Sequence, residues 1–389
     1  MDRVVLPCAL QLCVDDIGWF CGKNELDVGR PSRSGMPRDH VAEDYAALNA
    51  LGKAIGMKIL APMTVGEWDK DNILRGEIGM TYEPHSWDRK STIDMKLAES
   101  CFAELERSEY IEPAMHGVLH GNYAPDGSQI TEMELFGYPE GDLRRLATLP
   151  TSELERHFEL YFKIYNAWGF TKKIRAFVAP DGIPAHLTAD ELYPLAEVLS
   201  KYGINYWTSR WKRTVSYSQS FGDVFYLEKN VKYGIPWDTV DCDAKKLWNF
   251  ADENDEVKGD VLGAHWPNFL KPDYIDNLDC VAGWIDYFKR QSEIFGVMLS
   301  RDIAFSASQH LYRKFSKLTI ENGQLVIDVS EAIKNGCDFT SGELYVSIKK
   351  ESLPKEISGG ILELYETHEG FVTYRIKHFG DVVKLRLSC

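Results

Sequence analysis

Short apolar runs alternate with amphipathic stretches from residue 1 to about residue 310, which is the rhythm of repeated βα units. The apolar runs predict strands over residues 4–14, 58–63, 111–115, 174–179, 204–208 and 261–264. Between them, 3.6-residue periodicity predicts helices over 44–56, 94–107, 152–167, 188–202 and 274–295. Ser152 and Glu155 are spaced as a capping box behind Pro150. After about residue 312 the period falls to two, over 317–320, 324–329, 343–348, 361–365, 371–377 and 382–387. Turn pairs such as Asn322-Gly323, Gly359-Gly360 and Gly380-Asp381 punctuate these runs. The pattern predicts a (β/α) domain over 1–311 and a small antiparallel sandwich over 312–389, an accessory or oligomerisation module.

Composition narrows the setting. The chain has 389 residues, 44% apolar and 26% charged, enough for a large core. A formal charge of −15 argues against nucleic acid as a partner, and the basic stretch Arg210 to Arg213 is too short to reverse that. No run has the length of a membrane span, and the apolar start feeds straight into acids rather than a cleavage site. Eight scattered cysteines without a Cys-x-x-Cys pair read as reduced thiols, so the expectation is a cytoplasmic protein.

Polar motifs fall just after the predicted strands: Asp15-Asp16, His116 with His120, Pro180-Asp181-Gly182, and His265. Functional groups gather at such C-terminal strand ends in both parallel barrels and open sheets. His116-Gly117-Val118-Leu119-His120 puts two imidazoles four residues apart in a glycine-containing turn, able to face one carboxylate across a divalent ion. The second acid of the pair is then free to act as a base. Taken singly, an acidic pair at a strand end is a common turn or helix cap, and a lone His pair can simply satisfy the core.

The order Asp-Asp, His-x-x-x-His, Pro-x-Gly and a late strand-end His resembles the NodB-homology polysaccharide deacetylases, across roughly residues 1–310. The resemblance implies a distorted (β/α) barrel of about seven strands. It makes Asp16, His116 and His120 ligands of a divalent metal, usually zinc, with cobalt, nickel or iron as alternatives. It makes Asp15 the catalytic base, His265 the acid, and the backbone N–H of Asp181, with Gly182, the contact for the oxyanion. The chain departs from the family pattern at four places. Gly117 stands where Ser or Thr is usual, Val178 where an Arg precedes the Pro, and Gly263 where a Leu precedes the last His. Arg175 is the nearest arginine, and the aspartate that tunes the acid has only Asp241 and Asp243 as candidates.

Arg30, Arg33, Arg38 and His40 fill a Gly/Pro/Ser-rich loop, read as solvated or as capping the pocket against an anionic group of the substrate, with Arg38 as a substrate contact. Trp19, Trp68, Trp87, Trp207, Trp237 and Trp266 stand near predicted strand ends or loops, where aromatic faces suit sugar rings, with Trp266 as a substrate contact, though Trp is also ordinary core material. No phosphate-binding glycine motif and no Gly-x-Ser-x-Gly elbow is present. The expectation is a metal-dependent N-deacetylase of an amino sugar or related carbohydrate. A glycosidase using Asp15 with Asp181 or Asp241, and a carbohydrate-binding pseudoenzyme, remain as alternatives.

Overall fold

The computed structural model describes residues 4–24, 30–139, 144–211, 219–230, 259–321 and 324–388. Arg213, Trp237, Asp241, Asp243 and the Asn322-Gly323 turn lie outside them. Seven strands form one sheet: β1 (Ala9–Asp15), β2 (Ile59–Met63), β3 (Ile111–Met115), β4 (Ala176–Phe177), β5 (Tyr206–Ser209), β6 (Val224–Asn230) and β7 (Val261–His265). Each pairs in parallel with the next, and β7 pairs in parallel with β1, so the sheet closes into a barrel. A closed barrel has no unpaired edge, and all its strand ends meet at one rim.

The helices between strands are α1 (Ala42–Ile55), α2 (Met95–Arg107), α3 (Thr151–Ala167), α4 (Ala189–Lys201) and α5 (Asn277–Phe295). Asp94 caps α2 through the Leu97 N–H, and Thr188 with Glu191 makes a capping box at α4. The box expected at Ser152 does not form, because α3 begins one residue earlier with Pro150 in the cap position. A sixth helix, α6 (Ile303–Phe315), was not expected. Ile303, Ala307 and Leu311 of this helix pack on Cys13, Leu60, Ala114, Val178, Leu227 and Val261, the inward residues of the strands. Ser306 Oγ donates to the carbonyls of Ala9 and Asp260 at the strand starts, so α6 plugs the N-terminal end of the barrel.

The predicted first strand is in fact two. Pro7, with no N–H to offer a ladder, separates Val4–Val5 from β1. Val4–Val5 pairs antiparallel with β10 (Glu343–Lys349), in the C-terminal region. That region is built from β8 (Lys317–Glu321), β9 (Gln324–Asp328), β10, β11 (Pro354–Ser358), β12 (Gly360–Thr367), β13 (Phe371–His378) and β14 (Val382–Leu387). Its two four-stranded sheets share one apolar layer, in which Leu325, Ile327 and Leu385 meet Leu344, Val346 and Ile376, which makes it a sandwich.

The cysteines correct one expectation. Cys8, Cys13, Cys21 and Cys101 form no disulfide, but Cys280 is disulfide-bonded, so the set is not wholly reduced. Among the described residues no helix is long and apolar enough to cross a membrane.

Candidate metal and proton-transfer site

At the C-terminal rim of the barrel lies a cavity of about 340 Å³. Asp15, Asp16, His116, His120, Asp181, Gly182 and His265 all line it, together with Ser32, Glu132, Ala179, Arg210, Lys229 and Gly263. Seven of the expected site residues therefore share one pocket.

Local backbone geometry explains how they reach it. Along a strand, neighbouring side chains point to opposite faces. Asp15 is the last residue of β1, and Asp16 adopts a left-handed φ of 67° that turns the next carboxylate to the same side. His116 continues the inward register of Ala114 just past β3. Gly117 (φ 90°) and His120 (φ 50°) then curl the loop so that the second imidazole returns. The Ala179-Pro180-Asp181-Gly182 turn closes with the Gly182 N–H on the Ala179 carbonyl, and Asp181 takes φ 50° at its third position. Asp16, His120 and Asp181 are three of the four non-glycine residues with positive φ among the described residues. Such conformations cost about 1–3 kcal/mol each and gather at functional sites.

One oxygen of Asp16 stands 3.7 Å from His116 Nε2 and 3.6 Å from His120 Nε2, and all three side chains are buried. These separations exceed an N–H···O hydrogen bond. They are close to the roughly 3.4 Å between neighbouring donors held by metal bonds of about 2.0–2.1 Å. His116 Nδ1 lies 2.8 Å from the Val178 carbonyl, which fixes the ring and leaves Nε2 as the inward donor atom. The donor set is that of a divalent ion with N and O ligands, and its geometry fits one. Burial opposes charge on Asp16, but the His116 and His120 rings hold its carboxyl well below the usual carboxylate range. Burial likewise works against a charged His116, yet Asp16 and Asp15 raise its pKa, whereas burial lowers that of His120. A proton and a cation therefore compete for the same point.

Asp15 is supported from elsewhere. Burial would raise its pKa, but the Lys229 ammonium, with His116 and His265, lowers it. Lys229 Nζ touches Asp15 Oδ2, and the Cys13 thiol lies 3.4 Å from Oδ1. Parallel register sets His265 directly beside Asp15. His265 Nδ1 is buried with no hydrogen-bond partner among the described residues.

Sequence reasoning missed two supporting residues. Lys229 sits on β6, a strand the periodicity did not reveal because Val224, Phe225, Tyr226 and Leu227 are all buried and show no alternation. Glu134 accepts the N–H groups of Val118 (2.7 Å), Leu119 (3.1 Å) and Gly121 (3.4 Å), and His157 Nδ1 stands 3.0 Å away. A Cβ on Gly117 would lie 2.4 Å from this carboxylate, which explains the glycine in the His motif. No motif signals a carboxylate that far along the chain.

Three expected contacts are absent from the cavity. Arg38 is turned onto Asp44 (2.7 and 2.8 Å) and the carbonyls of Lys271 and Pro272. Arg175 precedes β4 and pairs with Glu112 at 2.6 Å, below the rim. Trp266 is fully buried, stacked on His40 at 3.8 Å, so its face is not open to a sugar. Trp19, Trp68, Trp87 and Trp207 are core residues too. The loop read as solvated holds buried Arg33, paired with Glu67, and a buried Ser34–His40–Asp44 chain (2.6 and 3.0 Å) that braces α1 against Trp266.

No family model and no curated protein matches the chain in sequence. Solved structures do match. The carbohydrate deacetylase Agd3 is 10% identical with a TM-score of 0.50, over 99% of this chain and 65% of that one. A protein from Mycobacterium smegmatis described as a proposed polysaccharide deacetylase is 11% identical with a TM-score of 0.41, over 76% and 87%. A CE4-family pseudoenzyme from Bacillus anthracis is 11% identical with a TM-score of 0.36, over 76% and 64%. This chain spans about two thirds of the length of the first and third. The likeness to Agd3 is one of fold.

Proposed function

We propose that this chain is a metal-dependent hydrolase that removes an N-acyl group, most simply acetyl, from an amino sugar or related carbohydrate. The observation that carries this reading is the convergence of Asp16, His116 and His120 on one point, with Asp15 and His265 side by side in the same cavity. In this reading residues 1–311 are the catalytic unit and 312–389 an accessory one.

Asp16 and the Nε2 atoms of His116 and His120 would hold the ion. When bound, a divalent ion such as zinc polarises an acyl oxygen and brings the pKa of water towards about 7. Asp15, kept ionised, takes the proton of the attacking water at its carboxylate, general-base work worth about 10²–10⁴ in rate. His265, across the β1–β7 pair, gives a proton to the departing nitrogen. The Asp181 N–H, in a turn tied to Arg210 through the Ile183 N–H, faces the developing oxyanion. A cavity of about 340 Å³ is at the small end for ligand sites and suits one sugar ring with its acyl group.

The test is metal content by elemental analysis, on protein purified without chelator or His-tag, with Asp16→Ala alongside. The expected result is about one ion per chain, lost in the variant, with chelator-sensitive hydrolysis of N-acetyl amino sugars. No metal in either protein, even after reconstitution, sinks the reading.

A further inference from the structure

The geometry points to Lys229 as the positioning residue that fixes the Asp15 carboxylate as base, and to Gly263 as the gap in the barrel lining that lets the lysine reach it. This rests on the deacetylase reading above.

Lys229 lies near the end of β6 and is almost wholly buried, 6% exposed. β7 stands between β6 and β1, so the lysine must cross the inner face of β7 to reach Asp15. It crosses at Gly263. A Cβ at that residue would stand 3.0 Å from Lys229 Cδ, 3.2 Å from Cγ and 3.3 Å from Cε, tighter than ordinary contact. Gly263 has no left-handed φ, so the backbone does not demand glycine there; the lysine stem does. The far end of the stem places Nζ on Asp15 Oδ2. Val178, just past β4, is apolar and packs in the barrel core, so it offers Asp15 no charge.

The ammonium on Oδ2, with the Cys13 thiol on Oδ1, holds the carboxylate in one orientation in the cavity wall beside His265. A buried carboxylate stripped of its cation is strongly unfavourable, so the pair should behave as a unit. Lys229 does not need to touch substrate for this role.

The experiment is a double-mutant cycle on the full chain: wild type, Lys229→Met, Asp15→Asn and the double variant. Each is melted after chelator treatment, and each is assayed after zinc reconstitution, with bound zinc counted. Lys229→Met is expected to lower the melting temperature by several degrees, and adding Asp15→Asn should recover most of that. With zinc, Lys229→Met should keep one ion per chain and an unchanged KM while kcat falls about 10²-fold or more. Lys229→Arg should restore part of kcat. Gly263→Leu should reproduce the loss in the wild type and add little to Lys229→Met. Additive melting shifts overturn the pairing. Coupled melting with an unchanged kcat overturns the positioning role. A wild type that binds no zinc and hydrolyses no acyl amide brings down the deacetylase reading; coupled melting would then leave the pair purely structural and overturn its role in a reaction.

Discussion

The barrel carries a buried histidine–aspartate cluster at each end, and the two are built oppositely. At the rim, His116 and His120 stand 3.7 and 3.6 Å from Asp16, beyond direct hydrogen-bond contact. At the plugged end, just before β7, Asp260 receives His310 Nδ1 at 2.5 Å and Arg313 at 2.6 Å, with the Cys8 thiol at 3.3 Å. Both carboxylates are buried and both are held below their ordinary pKa by cationic neighbours that outweigh burial. The residue types are nearly the same, so composition cannot separate a site from a structural lock. Spacing does. Donors in direct contact spend their hydrogen bonds on one another and tie α6 to the strand starts. Donors held about half an ångström too far apart, with backbone strain at Asp16 and His120, leave their lone pairs unspent on one another, as the proposed metal site requires.

The sharpest way to break this contrast is to delete the base and the lock in turn. Asp15→Asn should lower kcat by about 10²–10⁴, equivalent to roughly 3–5.5 kcal/mol, with bound metal retained. Asp260→Ala should do the reverse. Leaving Arg313 and His310 without their carboxylate costs about 3–5 kcal/mol of stability, read as a lower melting temperature, with kcat per folded molecule unchanged. A turnover defect in Asp260→Ala, at full folding, would mean that the two ends are not independent.

Glu134 sharpens the comparison, because it is a closed cluster placed directly behind the open one. Its carboxylate bonds the N–H groups of Val118 and Leu119, between His116 and His120, and of Gly121 just after them, and burial is outweighed by His157 and these donors in lowering its pKa. Glu134→Gln keeps the shape but loses charge and acceptor capacity. Metal affinity should fall about 10–100-fold, the usual scale for residues that orient ligands, as a titration with a competing chelator would read. An unchanged affinity would show that the loop holds itself.

The sequence was most legible where chemistry and strand ends coincide. Asp15, Asp16, His116, His120 and His265 could be picked out because each follows an apolar run, and the closed βα ring puts such positions on one rim. Legibility failed where support comes from a distance. Lys229 needed the strand Val224–Asn230, whose two-sided burial erased the period-two signal. Glu134 needed the irregular segment after His120, in which only short pairings occur. Trp266 was misread because an aromatic at a strand end looks the same whether it faces solvent or, as here, packs on His40 and Tyr45. The two departures at Gly117 and Gly263 were visible as letters, but each became intelligible only with the side chain that occupies its missing Cβ: Glu134 and Lys229.

The smallest expected effect is on acid stability, and it isolates the plugged end. Burial alone would raise the Asp260 carboxyl, yet His310 and Arg313 bring it from 3.8 down to about 2. A carboxyl depressed in the folded state contributes stability that is fully present above its unfolded pKa of about 3.9 and is lost as pH falls through the folded value. The window is therefore about pH 4 to 2, and the amount is about 2 kcal/mol, at roughly 1.36 kcal/mol per pKa unit. Chemical denaturation of wild type and Asp260→Asn, followed at intervals across that window, gives the difference directly. The wild type should lose its advantage over the variant progressively below pH 4. Metal-free protein is used throughout, so that the rim contributes the same acid response to both curves and cancels. A difference that stays flat to pH 2 would mean that Asp260 owes its place to shape and hydrogen bonding rather than to charge, and the electrostatic half of the contrast between the two ends would fall.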